Sequence, residues 1–259
     1  MDWVGKGMGI MEAENNRLSL VSKLDTRGVV MSRDIEAVRL VLEMGAITVE
    51  QAYQLVWKID GSKGSRYAED RMLFLTRSQF ITRVKTPYSK RYFYKGTRQG
   101  LDLVQSQCPD FCLTTLAPVS IPEIPHVDGL TNLRAAIKMS GRFKECVKWW
   151  QSDRELRVDP IFPKERMWDA IPDALWITKS GRRIAVEFER TRKGSTRLLA
   201  KVTRLDQELN QADSAFDLIL WVSSPGAAAD LKRVINGRAK HEFRLMPDMM
   251  AELLGQQGE

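Results

Sequence analysis

From Ser32 onward apolar residues fall at helical spacing: Ile35, Val38, Val41 and Leu42 recur until Met44-Gly45, with Ser32 placed to cap the first turn. Thr48 opens a second stretch carrying Ala52, Leu55 and Val56. After the polar break Asp60-Gly-Ser-Lys-Gly64, a third runs from about Ser65 to Ser78, with Ala68, Met72 and Leu75 inward. The period then changes. Phe80-Ile-Thr-Arg-Val84 and Arg91-Tyr-Phe-Tyr94 flank a Lys-Thr-Pro-Tyr-Ser-Lys turn, which predicts a two-stranded hairpin, and a short helix from Thr97 to Val104 follows. Three helices and a hairpin describe a winged helix-turn-helix over residues 32–107. Residues 1–31 have no clean periodicity and read as an N-terminal arm.

Pro109, Pro118, Pro122 and Pro125 break up residues 108–129, which predicts an interdomain linker. The second domain, 130–259, opens with a helix from about Leu130, interrupted near Ser140-Gly141 and resumed from Phe143 to Arg157 through Trp149-Trp150. A strand pair follows, Pro172-Asp-Ala-Leu-Trp-Ile and Ile184-Ala-Val-Glu-Phe-Glu189, joined by a turn at Ser180-Gly181. Beyond it come a helix from about Thr196 to Gln211, an apolar strand Phe216 to Val222, a helix Ala227 to Asn236, a strand near Phe243 to Leu245 and a closing helix from Asp248. This order predicts a mixed α/β sheet with helices on both faces, in a chain of α+β and α/β character.

Charge sharpens the picture of the first half. The 259 residues carry a net charge of +7, and between Ser62 and Arg98 ten basic residues face only Glu69 and Asp70. A basic segment concentrated on one helix and a hairpin suits a phosphate backbone, with Arg66, Arg71 and Arg77 outward on the third helix and Lys85, Lys90 and Arg91 on the hairpin. No apolar run is long enough to cross a bilayer, the N-terminus lacks a signal-peptide core, and three cysteines do not suggest a disulfide framework, so a cytosolic (cytoplasmic) protein is expected. Cys108, Cys112, Cys146 and His126 match no zinc-ligand spacing, which leaves them as isolated thiols and a lone imidazole.

In the strand pair, period-2 alternation puts Ile184, Val186 and Phe188 on one face and Glu187 and Glu189 on the other, with Asp173 close to both carboxylates. Acids gathered at a sheet edge raise one another's pKa unless a hard divalent cation, magnesium or manganese, stabilises their ionised forms. Such a cation polarises a phosphate and activates water. Pro-Asp followed by Glu-x-Lys on the next strand is the signature of restriction-endonuclease-like nucleases; here Pro172-Asp173 and Glu187 fit, and the lysine position holds Glu189. Lys201, beside the apolar stripe Leu198, Leu199, Val202 and Leu205, is the candidate ammonium, and Glu155 a candidate fourth acid. Arg190, Arg192 and Lys193 supply a basic cluster for the phosphates next to the scissile one. The alternative is a solvated strand face with surface acids. Two histidines exclude a His-hydrophobic-His metal triad, and all five tyrosines lie in the first half.

Taken together, the hairpin with Arg91-Tyr-Phe-Tyr94, the Trp149-Trp150 to Arg157 segment, Ile171-Pro-Asp173 and Val186-Glu-Phe-Glu-Arg190 resemble the MobC-type plasmid mobilization relaxases and, more distantly, the replication-relaxation family. The resemblance spans roughly residues 32–250. It implies nicking of one strand at a plasmid transfer origin by a divalent-metal site, with a coupling protein and a type IV secretion channel as partners. A different class stays open: a non-catalytic DNA-binding accessory or transcriptional regulator, or else a double-strand nuclease.

Overall fold

Asp34, rather than Ser32, caps the first helix: its carboxylate accepts the Met31 N–H at 2.7 Å, which makes Ser32 the first helical residue of α1 (Ser32–Met44). The helix stops at Gly45, whose φ of 83° a side chain would disfavour. Thr48 caps α2 (Val49–Ala52), exchanging hydrogen bonds with Gln51. The chain continues as a wider π turn, Tyr53–Trp57. In the computed structural model, residues 29–58, 64–140, 147–160, 162–163 and 171–255 are described.

Helix α3 (Ser65–Arg77) buries Ala68, Met72 and Leu75, the three positions its periodicity marks as inward. Strands β1 (Ile81–Lys85) and β2 (Tyr92–Gly96) pair antiparallel with Lys85 opposite Tyr92. Helix α4 (Arg98–Gln107), capped by Thr97, closes this half.

The expected linker is packed. Phe111 and Leu113 are buried in the same apolar cluster as α1 and α4, and helix α5 (Ile124–Met139) begins inside the segment, after a 3₁₀ turn at Ile121–Glu123. Pro122 and Pro125 occupy the first turns of these two elements, where a missing N–H leaves no bond unmade. The Trp149-Trp150 segment is strand rather than helix: β3 (Val147–Ser152) alternates an exposed Trp149 (41%) with a buried Trp150 (6%).

After α6 (Asp153–Val158) come β4 (Ala174–Thr178), β5 (Arg183–Glu189), α7 (Ser195–Leu209), β6 (Leu218–Ser223), α8 (Pro225–Ile235), β7 (His241–Leu245) and α9 (Met246–Gly255). The sheet order is β3-β4-β5-β6-β7, with the first three strands antiparallel and the last three parallel. A mixed sheet of this kind needs a crossover helix between its parallel neighbours, which α7 and α8 provide. On one face Ile184, Val186 and Phe188 pack with Leu130 and Leu133 of α5 and Met249 of α9. On the other, Ala185, Ile219 and Trp221 meet Leu198, Val202 and Leu205 of α7 and Leu231 of α8.

The first of these clusters runs on through α5 to Val41, Leu55 and Leu101. The N-terminal helices and the sheet therefore share apolar contacts through α5, across the segment 108–129 expected to be a linker. Among the described residues no helix is long and apolar enough to cross a membrane.

Candidate active site

Asp173 immediately precedes β4, and the register Ala174 to Val186 sets it beside the C-terminal half of β5. The Phe188 N–H donates to Asp173 Oδ2 at 2.8 Å, and His126 Nε2 lies 3.3 Å from Oδ1. His126 comes from the first turn of α5, which approaches β5 closely at Gly129; a Cβ there would stand 2.2 Å from the Phe188 ring. That contact fixes the helix against the strand, and the His126 ring rests 5.5 Å from the ring of Phe188.

Glu187 is on the face of β5 opposite Phe188, as strand alternation requires, and the helices packed on that face bury it fully. Lys201 reaches down from α7 and donates to Glu187 Oε2. Glu187 Oε1 is buried and has no hydrogen-bond partner among the described residues. Two carboxyls thus lie near one ammonium, and their environments separate them. Burial works against the charge of Asp173, but Lys201, His126 and the Phe188 N–H hold it well below the usual carboxylate range. Glu187 is pushed up to about 8 by burial, with Asp173 and Glu189 adding to the effect against the pull of Lys201. Burial would lower Lys201 too, yet Glu187 and Asp173 raise it above the usual lysine range. The same acid raises His126 despite its burial. The cluster thus favours an ionised Asp173 and a charged Lys201, while burial disfavours the charge of Glu187.

Two of the sequence candidates stand elsewhere. Glu189 is buried on the same face as Glu187, but its Oε1 accepts from Lys193 at 2.6 Å, one helical turn's worth of sequence away. Glu155 is not a fourth acid of this site: it accepts the Ser152 N–H at 2.8 Å and the Ser152 hydroxyl at 3.0 Å, closing a capping box on α6. Burial, with Glu43 nearby, pushes it up to about 7. The acid that α6 does bring close is Asp153, whose N–H donates to the Asp173 carbonyl at 3.0 Å and whose carboxyl is raised by burial and by Asp173. His126, Asp153 and Asp173 share a cavity of about 400 Å³ with Arg154 and Arg157. Neither His126 nor Asp153 is marked by spacing, because each meets Asp173 only through tertiary packing.

Among the described residues no three carboxylate, imidazole or thiol side chains are grouped to hold a metal ion. Asp173 and Glu187 are the two oxygen-donor acids of the expected metal set that lie near one another, Asp173 with contacts to the Phe188 N–H and His126 and Glu187 paired with Lys201. Cys146 of the considered zinc set lies outside the described residues, while Cys108 and Cys112 are free, half-buried thiols.

The basic side chains divide in the same way. Arg66, Arg77, Lys85, Lys90 and Arg190 are exposed. Arg71 does not face outward as expected; its guanidinium spans the two carboxylate oxygens of the buried Asp34 and ties α3 to α1. Arg91 bridges to Asp128 at 2.9 Å while staying half exposed. Arg192 pairs with Asp230, and Lys193 with Glu189. Arg83 stacks 4.2 Å from the ring centre of Tyr92, on the same hairpin face as Lys85.

No known family's sequence profile matches the chain, and no curated protein matches it. Among solved structures, one of Bordetella bronchiseptica BpsR, a protein whose DNA binding is regulated by 6-hydroxynicotinic acid, aligns with 42% of this chain and 76% of its own at 9% identity, with a TM-score of 0.28.

Proposed function

We propose that this protein is a divalent-metal-dependent DNA nickase, in which a winged helix-turn-helix formed by α1 to β2 grips DNA and a restriction-endonuclease-like sheet carries the cutting site. The observation that carries the reading is Lys201: the residue that occupies the usual lysine position is Glu189, and an ammonium arrives instead from α7, against the motif glutamate and within electrostatic reach of Asp173. An acid, a second acid and an ammonium are thereby assembled from the residue before β4, from β5 and from the crossover helix. Asp173 and Glu187 would hold magnesium or manganese, which would supply polarisation of the scissile phosphate and a more acidic water. Lys201 places positive charge where negative charge develops on the phosphate oxygens. The Phe188 N–H and His126 fix the Asp173 carboxylate. Exposed Arg66, Arg77, Lys85 and Lys90 provide the phosphate contacts of the grip, and Arg190 extends them past the site. The resemblance to MobC-type relaxases extends the proposal to a plasmid transfer origin as the DNA, and to a coupling protein and type IV secretion channel as partners.

The test is incubation of the protein with Mn²⁺ or Mg²⁺ and a supercoiled plasmid carrying the DNA that flanks its own coding region. Open circles are the expected product. Asp173→Ala and Lys201→Met should each lower the nicking rate by at least about a hundredfold and leave DNA affinity unchanged. A second reading has its own observation: Lys201 already satisfies one oxygen of Glu187, so the pair can be a buried structural bridge in a DNA-binding protein that does not cut. An intact plasmid with a retarded gel band selects that reading, and linear product selects a double-strand nuclease.

A further inference from the structure

The five-stranded sheet has two edges, and they are built differently. β3 carries a register shift between Val147 and Trp149, an irregularity of the kind that blunts an edge against further pairing. β7 pairs with β6 in unbroken register from His241 to Leu245, and among the described residues no strand lies along its other side.

The ladder with β6 decides which main-chain groups that side presents. The Ile219 N–H donates to the Lys240 carbonyl at 3.0 Å, and Ile219 stands opposite His241. In a parallel ladder of this phase Lys240, Glu242 and Arg244 turn their peptide groups toward β6, and those of His241 and Phe243 turn to the open side. The exposure of His241 agrees. Its side chain accepts the Trp221 indole N–H at 3.0 Å, lies 2.7 Å from Asp206 and is 0% exposed, yet the residue as a whole is half-buried. The atoms of His241 that meet solvent are therefore main chain.

The side chains add a second, independent feature. Glu242 and Arg244 are exposed on one face of β7, and Phe243 is half-buried on the other. Charges on an edge strand ordinarily keep a second copy away. Here the signs are opposite and Phe243 stands midway between them. A two-fold axis at Phe243 sets each Glu242 against the Arg244 of a second chain, in the closely spaced positions of an antiparallel pair. The same axis lets the two Phe243 residues exchange their outward N–H and C=O groups. A slip of two residues either way would oppose Glu242 to Glu242 or Arg244 to Arg244, so charge order and ladder phase select one register.

We propose that β7 is a self-association edge: two copies of this chain pair antiparallel through His241–Leu245 about a two-fold axis at Phe243, which joins their sheets into one. The partner is a second copy because the strand is complementary to itself, in main-chain phase and in charge. The inference does not depend on the nickase reading, since β7 contributes no residue to the cutting site.

The experiment is analytical ultracentrifugation of the full chain across a concentration series. One short strand pair makes a small interface, so a reversible monomer–dimer equilibrium with a dissociation constant on the order of 10 µM is expected. Glu242→Arg and Arg244→Glu each set like charges across the axis and should weaken association by about tenfold or more. Mixed together, the two variants should form a heterodimer with affinity within about threefold of the parent's, because one brings two arginines and the other two glutamates. Melting curves of both variants establish that they fold. A chain that stays monomeric up to about 300 µM overturns the proposal. So does a dimer that neither substitution weakens, or a pair of folded variants that fail to associate when mixed.

Discussion

Asp173 and Glu187 are both carboxyls near Lys201, and what else touches them sets them apart. Asp173 receives the Phe188 N–H and the His126 imidazole, whereas one Glu187 oxygen has no hydrogen-bond partner among the described residues. With Glu187 raised to about 8, a cation that needs its carboxylate must first displace a proton. Mn²⁺ affinity should therefore climb by about tenfold per pH unit up to roughly pH 8 and level off above it. Calorimetry in buffers of different ionisation enthalpy reads both the affinity and the released proton, and equal affinity at pH 6 and pH 8 would refute the assignment. In the metal-free protein the sign for stability is the reverse. A carboxyl raised on folding contributes stability that is complete below its ordinary value and disappears as pH rises through about 8.

Among the elements, α1 and α3 are joined by a residue whose chemistry looked like DNA contact. Arg71 and Asp34 form a two-oxygen bridge with side chains 12% and 1% exposed, so Arg71→Ala leaves a buried charge unpaired and should cost about 3 kcal/mol of stability. Chemical denaturation measures that loss; Arg66→Ala and Arg77→Ala, at exposed positions, should leave the midpoint unchanged. A different contact holds α5 to β5. Gly129→Ala places a methyl into the Phe188 ring and should destabilise by about 1–3 kcal/mol. On the proposed nickase reading it should also slow cleavage, because the Phe188 N–H donates to Asp173. The strand alternation of Ile184 to Glu189 and the inward set Ala68, Met72 and Leu75 were legible in the sequence, because each repeats a local period. Adjacent Trp149 and Trp150 concealed β3, since two aromatics in a row hide alternation. Four prolines suggested a loose connection, yet two of them start helical turns. Arg71 and His126 could not be placed from spacing, as their partners Asp34 and Asp173 are distant in sequence.

For the molecule as a whole, the continuous core from Val41 through α5 to Val186 predicts a single calorimetric unfolding transition, with the N-terminal helices and the sheet melting together. Two resolved transitions would show that the shared apolar contacts are too weak to couple the halves. Helix α5 is the member both halves use. Within four residues it supplies His126 to Asp173, Asp128 to Arg91 of the hairpin and to Gln51 of α2, and Gly129 to Phe188. A girder of that kind ties the hairpin to the surroundings of Asp173 among the described residues. On the proposed nickase reading, the hairpin and Asp173 are tied to the same helix, so DNA must conform to their spacing rather than the reverse, and supercoiled circles should be nicked faster than relaxed ones.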